Sequence, residues 1–324
     1  MTALEQVVEQ LRTGERFLLV THEHPDGDAV GSLLAMHGVL RALDKDAVMF
    51  IGAQEFPLPK EYAWLDHHEV VSELPADLSE RVLVFLDCGS IERNPAEGLK
   101  GAGGTILNID HHHDNTRFGT IDLVDDGASC TAEIVWQIAH ALGAPLSLAV
   151  AEALYVGLIT DTGRFMYENT GSSSHAMAAE LIDAGVDVPI VYRRVYEGWP
   201  EPKLHLVARA LSRVQRHSGG RLTFTHLFAQ DFSETGALDS HTEGIVDVLR
   251  AIDGTKVAAV ARQRSDADAG QWKVSLRSSD GEVDVSAIAR AGGGGGHRAA
   301  AGFNAALDPA DLVAFIDAQI ATQR

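Results

Sequence analysis

The stretch RFLLVTHEHPDGDAVGSLLAMHGVLRAL, residues 16–43, contains an apolar run of β type, a polar loop and a pattern typical of a helix. A second apolar run, AVMFIG at residues 47–52, follows it. This order predicts a βαβ unit, in which the two strands lie parallel. Two further candidates for buried strands are RVLVFLD at 81–87 and GTILNID at 104–110. We therefore predict an α/β fold for the N-terminal half, with a mostly parallel sheet and flanking helices.

Polar residues follow the strands of this predicted sheet. In an open parallel sheet the carboxyl ends of the strands form the ligand crevice, so polar groups that are distant in sequence are expected to converge there. A further polar stretch, LITDTGRF at 158–165, adds one more aspartate. The residues concerned are His22, His24, Asp26, Asp28, Asp87, Asp110, His111, His112, His113 and Asp161.

Aspartate and imidazole side chains in one crevice are a donor set for divalent metals. They suit Mn²⁺ and tolerate Mg²⁺, Co²⁺ or Zn²⁺. Several carboxylates could not all ionise together unaided, because like charges raise one another's pKa, and two divalent cations would neutralise them. Each fragment alone has a simpler explanation: HPDGD fits a turn with a helix cap, and Asp161 fits a cap or a loop carboxylate.

The rest of the chain predicts helices and then a second domain. SCTAEIVWQIAHALG, residues 129–143, has a plausible cap at Ser129 and a glycine stop, and SLAVAEALYVGLITDTG follows at 147–163. Residues 187–217 are polar and helical in pattern, which we interpret as an interdomain connection. After it, three alternating runs predict strands at 221–228, 256–263 and 271–278, with helices near 243–252 and 308–319. We therefore expect domains at 1–186 and 218–324, the second a smaller α+β domain.

Composition limits the possible partners. The 324 residues include 26 Lys and Arg against 46 Asp and Glu, a formal charge of −20 that would repel a long nucleic acid. Small phosphorylated ligands remain possible, because a metal can reverse the field locally. No apolar run approaches the ~20 residues of a membrane span, and the N-terminus lacks a secretory pattern, so we expect a cytoplasmic protein. Cys88 and Cys130 cannot form a disulfide framework. The oligomeric state stays open, with a homodimer as one alternative.

Five motifs, in this order, resemble those of the DHH phosphoesterase family, in the branch of NrnA-like oligoribonucleases and phosphoadenosine phosphatases. They are THEHPDGDAVGS, LDCGS, NIDHHHDN, LITDTGRF and GGGGGHRAAAGF, and they extend over nearly the whole chain. The resemblance implies a DHH domain, a C-terminal DHHA-type domain and an active site in the cleft between them. It also implies two bound divalent metal ions, with Mn²⁺ as the expected ion and Mg²⁺, Co²⁺ or Zn²⁺ as the alternatives.

The resemblance also implies roles for single residues. One metal would be bound by His22, Asp26 and Asp87, and the other by Asp28, Asp87, His111 and Asp161, with Asp87 as the bridge. Asp110 would orient His111 or be a structural partner, and His112 would face the substrate phosphate. His24 stands where relatives commonly have Asn, and His113 stands at a variable position, so neither is assigned to a metal.

The glycine run near the C-terminus has a physical reason of its own. Glycines let the backbone approach a ligand and present N–H groups to a phosphate, although such a run also fits a flexible linker. Gly294, Gly295 and Gly296 are therefore candidates for substrate binding. The resemblance implies that His297, together with Arg277, holds the nucleotide.

The expected reaction is hydrolysis by a metal-activated hydroxide that attacks phosphorus in line, with His112, Asp87 and Asp110 as catalytic residues. His112 or water would protonate the leaving oxygen. The family implies short oligoribonucleotides, pApA from cyclic di-AMP turnover and 3'-phosphoadenosine 5'-phosphate as substrates. Alternatives are a direct cyclic dinucleotide phosphodiesterase, a manganese pyrophosphatase, a RecJ-like exonuclease and, outside enzymes, a nucleotide-binding sensor.

Overall fold

The computed structural model describes residues 1–94, 96–99, 104–264 and 270–323. The chain divides into two compact units, Met1–Gly198 and Trp199–Arg324. The division falls within residues 187–217, where the sequence predicts a connection.

The first unit contains six strands and six helices in its described residues, and short 3-10 turns join some of them. In chain order they are α1 Ala3–Thr13, β1 Arg16–Val20, α2 Gly27–Ala42, β2 Asp46–Phe50, β3 Val70–Val71, β4 Val82–Leu86, β5 Ile106–Asp110, β6 Ile121–Val124, α3 Thr131–Leu142, α4 Leu148–Asp161, α5 Ser172–Asp183 and α6 Val188–Tyr196. The sheet order is β3-β2-β1-β4-β5-β6, and every strand pair is parallel. The predicted α/β class is confirmed.

The direction of winding in this sheet reverses between β1 and β4. Strands β2 and β3 lie on one side of β1, whereas β5 and β6 lie beyond β4. The register pairs Val20 with Phe85, so the two central strands end side by side. Such a switch point at the carboxyl ends is where open α/β sheets bind ligands. The loops that begin at Thr21 and Asp87 therefore open into the same crevice.

Helices α2, α3 and α4 pack closely on one another beside this crevice. A side chain from α2 caps α3: the backbone N–H groups of Thr131 and Ala132 donate to Asp28, at 2.6 and 2.9 Å. The expected cap at Ser129 is wrong, since the residue at the cap position is Cys130 and the Ser129 hydroxyl donates to Glu133. The cap joins residues more than a hundred positions apart, which local sequence patterns do not reveal.

Gly157 of α4 is required by this packing. A Cβ there would lie 2.7 Å from the Ala132 Cβ and 2.8 Å from Asp28 Oδ1. We expect Gly157→Ala to lower the free energy of unfolding by about 1–3 kcal/mol, the usual cost of overpacking, as measured by urea denaturation. The control is Gly127→Ala, whose Cβ would come no closer than 3.3 Å, to an exposed aspartate. Equal losses in the two variants would contradict the packing argument.

The second unit has a mixed sheet of six strands in the order β11-β12-β10-β9-β8-β7, with β8 and β9 parallel and the other pairs antiparallel. Its elements are α7 Glu201–Ser212, β7 Gln215–His217, β8 Leu222–Leu227, α8 Ala229–Thr235, α9 Ile245–Arg250, β9 Val257–Gln263, β10 Trp272–Ser278, α10 Val285–Ala291, β11 Gly295–Gly296, β12 Ala300–Ala305 and α11 Pro309–Ala321. This is the expected α+β arrangement. Across the described residues of both units, no helix has the length and apolar character needed to cross a membrane.

Candidate metal centre

Asp87 lies at the centre of the crevice. It directly follows β4, is 2 % exposed and has a left-handed backbone with φ of 56°. Its Oδ2 lies 3.4 Å from His22 Nε2, and its Oδ1 lies 3.7 Å from His111 Nε2 and 3.6 Å from His112 Nδ1. The Thr131 hydroxyl donates to Oδ1 at 3.0 Å. Burial alone would raise the pKa of Asp87, but the hydrogen bond from His22 and the three nearby imidazoles hold that pKa well below its usual range.

The loop after β1 presents His22 and Asp26 to the same point. The Nδ1 of His22 donates to the Glu23 carbonyl at 2.6 Å, so Nε2 faces Asp87: it donates to the carboxylate when the ring is protonated and offers a lone pair to a metal when the ring is neutral. Asp26 caps α2 through Oδ1, which accepts from the N–H groups of Asp28 and Ala29, both at 3.1 Å. The simpler explanation of HPDGD as a turn with a helix cap is thus correct for Oδ1. Capping does not prevent metal binding, because a carboxylate has further lone pairs.

Two more carboxylates approach from helices. Asp28 is 1 % exposed, and burial followed by the charges of Asp87, Asp161 and Asp26 raises its pKa well above the usual value. Asp161 ends α4, and its Oδ2 lies 3.6 Å from His111 Nε2. Burial raises the pKa of Asp161 to about 7, although His111 acts in the opposite direction. Both raised pKa values come from burial first and from the neighbouring carboxylates second, and a bound cation would favour the charged forms against both.

The donor atoms form groups of metal-binding size. In each of three groups the donor atoms lie within 4.8 Å of one another: His22 with Asp26 and Asp87, Asp28 with His111 and Asp161, and Asp87 with His111 and His112. The first two groups contain residues expected for the two metals. Asp87 belongs to the first group and also lies 3.7 Å from His111 of the second group. Oxygen and imidazole donors at this density, with unrelieved carboxylate repulsion, fit divalent cations.

Asp110 does not orient His111. Its Oδ1 is hydrogen-bonded to His112 Nδ1 at 2.6 Å, and Asn115 Nδ2 donates to its Oδ2 at 2.6 Å. The reason is geometric: Asp110 ends β5, and the ring two residues later turns back onto it. Burial alone would lower the pKa of His112, but Asp110 and Asp87 raise it to about 9.

His24 has a structural role that explains its position. Its backbone is left-handed, with φ of 53°, and both its N–H and its Nδ1 contact the Glu55 carboxylate, at 2.9 and 3.1 Å. Both His and Asn adopt left-handed conformations more readily than most residues, so His24 suits this backbone. The His24 side chain is 87 % exposed, whereas the Glu55 side chain is buried. His113 is also exposed.

In the second unit the glycine run is ordered by β pairing. Gly295 and Gly296 pair with β12, and a Cβ at Gly294 would lie 2.1 Å from the Gly302 carbonyl oxygen. This close approach excludes other side chains, so the flexible-linker explanation fails. His297 follows in a tight turn, in which its N–H donates to the Ala300 carbonyl at 2.7 Å. The register places Arg277 of β10 opposite Ala300, beside this turn.

Sequence reasoning missed several polar neighbours of the candidate ligands. Thr131 contacts Asp87, Asn115 contacts Asp110, and Asn169 Nδ2 donates to Asp161 Oδ2 at 3.3 Å. Asn115 is the last residue of the quoted NIDHHHDN motif, which was a usable signal. The sequence contains no comparable signal for Thr131 or Asn169.

Two family models match the chain. The DHH family N-terminal domain matches residues 16–158, and the DHHA1 domain matches residues 225–322. A bifunctional oligoribonuclease and PAP phosphatase NrnA from Thermus thermophilus is 35% identical over 286 residues, covering 88% of this chain and 82% of the relative. The Bacillus subtilis protein of the same name is 26% identical, and the match covers 92% of this chain and 91% of that relative.

Solved structures show the same fold. An exopolyphosphatase-related protein from Bacteroides fragilis superposes with a TM-score of 0.88 at 24% identity, covering 99% of this chain and 96% of that one. RecJ from Thermus thermophilus, crystallised with Mn²⁺, has a TM-score of 0.53 at 18% identity, covering 99% of this chain and 54% of that one.

Proposed function

The chain belongs to the DHH family of phosphoesterases with a DHHA1 domain, and we propose that it hydrolyses short oligoribonucleotides to nucleoside 5'-monophosphates and 3'-phosphoadenosine 5'-phosphate to AMP. The short substrates include pApA. The observation that carries the proposal is the density of carboxylate and imidazole donors around Asp87 at the switch point of the parallel sheet. The relatives named oligoribonuclease and PAP phosphatase, which match almost from end to end, support the substrate class.

We assign the two proposed metal positions to this chain's residues as follows. His22, Asp26 and Asp87 would hold one divalent ion, and Asp28, Asp87, His111 and Asp161 the other. Mn²⁺ is the ion we propose, since hard oxygen donors mixed with imidazole suit it. When bound, the ions would supply Lewis acidity toward the phosphate and the attacking water.

The residues around the proposed metals would orient the substrate and manage its charge. His112 would contact the substrate phosphate, and Asp110 would fix the orientation of its ring through the 2.6 Å hydrogen bond. In the second unit, Arg277, His297 and the amides of Gly294, Gly295 and Gly296 would bind the nucleotide. We further propose that the enzyme works in the cytoplasm, where RNA fragments and small phosphorylated nucleotides are formed.

We expect kcat/KM to fall steeply for RNAs longer than about five nucleotides, because tracking many phosphates needs a basic groove or a stacking platform. A chain with a net charge of −20 is poorly suited to hold a long polyanion. The measurement is a length series with Mn²⁺ at two salt concentrations. The loss should persist at both, because screening the charge does not supply the missing groove or stacking platform. Equal efficiency on the longest and shortest RNAs would instead support a RecJ-like exonuclease. Absence of turnover on every short substrate would support a nucleotide sensor.

A further inference from the structure

A short turn after Asp87 is anchored to the loop that carries His22. Residues Ile91–Arg93 form a 3-10 turn, in which the Ser90 hydroxyl accepts from the Glu92 N–H at 3.2 Å. The Arg93 carbonyl accepts from the Glu23 N–H at 2.8 Å. Buried Asn94 donates from Nδ2 to the Thr21 carbonyl at 2.7 Å. The backbone of Arg93 is therefore fixed at the rim of the crevice and cannot drift away from it.

The guanidinium of Arg93 has no acceptor within the part of the chain that the structure describes. Two other arginines that are not fully exposed do contact carboxylates: Arg81 contacts Asp46 and Asp77, and Arg213 contacts Asp231. The side chain of Arg93 is half-buried. A half-buried guanidinium offers five N–H donors in a planar arrangement that an anion can accept from. These donors are therefore available to an external anion.

The charge of Arg93 acts on the side chains around Asp87. Burial has the largest influence on the pKa of His22, His112 and Cys88, and the positive charge of Arg93 lowers the pKa of all three. His22 and His112 both lie within 4 Å of the Asp87 carboxylate. The backbone contacts agree with this influence: Arg93 bonds to Glu23 and Asn94 bonds to Thr21, the two neighbours of His22 in the chain, so Arg93 lies beside the loop that carries a candidate metal ligand.

We propose that Arg93 binds the non-bridging oxygens of the phosphoryl group that is hydrolysed. A planar guanidinium can donate to two phosphate oxygens at once, with a geometry that a lysine cannot reproduce. It would position the phosphate and offset the negative charge that develops on it. This inference rests on the proposed function, because it assigns a substrate contact to the same site.

The test compares Arg93→Gln and Arg93→Lys with wild-type protein, and Arg41→Gln at the exposed end of α2 serves as the matched control. Calorimetry first measures Mn²⁺ binding, which should be unchanged in all four proteins. Equilibrium dialysis then measures the affinity of the Mn²⁺-loaded proteins for inorganic phosphate. Arg93→Gln should weaken it by at least about tenfold, the size of one charged hydrogen-bonding contact, and Arg93→Lys should recover part of the loss. Kinetics with pApA should show a matching fall in kcat/KM.

The outcomes separate this inference from the proposed function. If wild-type protein does not hydrolyse pApA, the proposed function fails, yet the phosphate measurement still decides the role of Arg93. Phosphate affinity of Arg93→Gln within about twofold of wild type would overturn the inference. So would a parallel loss of Mn²⁺ affinity, since Arg93 would then support the metal residues and not the substrate.

Discussion

Asp87→Asn is expected to abolish hydrolysis, with a loss of at least about a thousandfold in kcat, and to lower the bound Mn²⁺ without unfolding the chain. A loss of that size corresponds to about 4 kcal/mol of transition-state stabilisation. The reason is the central position of this carboxylate, which faces His22, His111 and His112 and accepts from Thr131. An amide keeps the shape of the side chain but removes the charge that a shared ligand must supply. Metal content by elemental analysis and turnover of pApA are the two measurements.

Asn is a sharper substitution than Ala because of the backbone at this position. Asp87 has a φ of 56°, a left-handed conformation that Asn tolerates and that costs most other residues about 1–2 kcal/mol. Asp44→Asn is the matched control, since Asp44 is exposed and has a φ of 59°. It should retain full activity and metal. If Asp87→Asn keeps more than about a tenth of wild-type activity, the assignment of Asp87 as a shared ligand is wrong.

The sequence was sufficient to predict the arrangement of the crevice. Alternating strand and helix patterns predict a parallel sheet, and such a sheet places the residues after each strand at one edge. His22 and Asp87 follow β1 and β4, which the sheet order makes neighbours, and His111 follows β5. The proximity of these three residues is therefore a consequence of chain topology. That topology can be predicted from the hydrophobic periodicity of the sequence.

Contacts that depend on helix packing could not be predicted in the same way. Asp161 ends α4 instead of a strand, so the strand pattern does not explain its position at the crevice, and its assignment to one metal came from the family resemblance. Asp28 caps α3 across 103 positions of sequence, and its approach depends on Gly157 having no side chain. Side-chain rotamers could not be predicted from the sequence either. The spacing of the residues does not show that Asp110 is hydrogen-bonded to His112 and not to His111. The lack of a partner for Arg93 among the described residues is likewise a spatial fact.

The division of the chain leads to the second large expected effect. All the candidate metal ligands lie in the first unit, between His22 and Asp161, whereas the proposed nucleotide contacts lie in the second. Chemistry and recognition should therefore be separable by mutation. A substrate without a nucleotide would need only the first set of residues, while pApA would need both.

His297→Ala is expected to leave hydrolysis of bis(p-nitrophenyl) phosphate within about twofold of wild type and to lower kcat/KM for pApA by about a hundredfold. His297 lies in the turn between β11 and β12, and that turn is held by backbone hydrogen bonds that do not involve its ring. Loss of the ring should therefore not unfold the unit. His217→Ala, at a half-buried histidine at the end of β7, is the control and should affect neither substrate. Equal losses on both substrates would mean that His297 belongs to the chemistry or to the fold, because a residue that only recognises the nucleotide cannot affect an ester that lacks one.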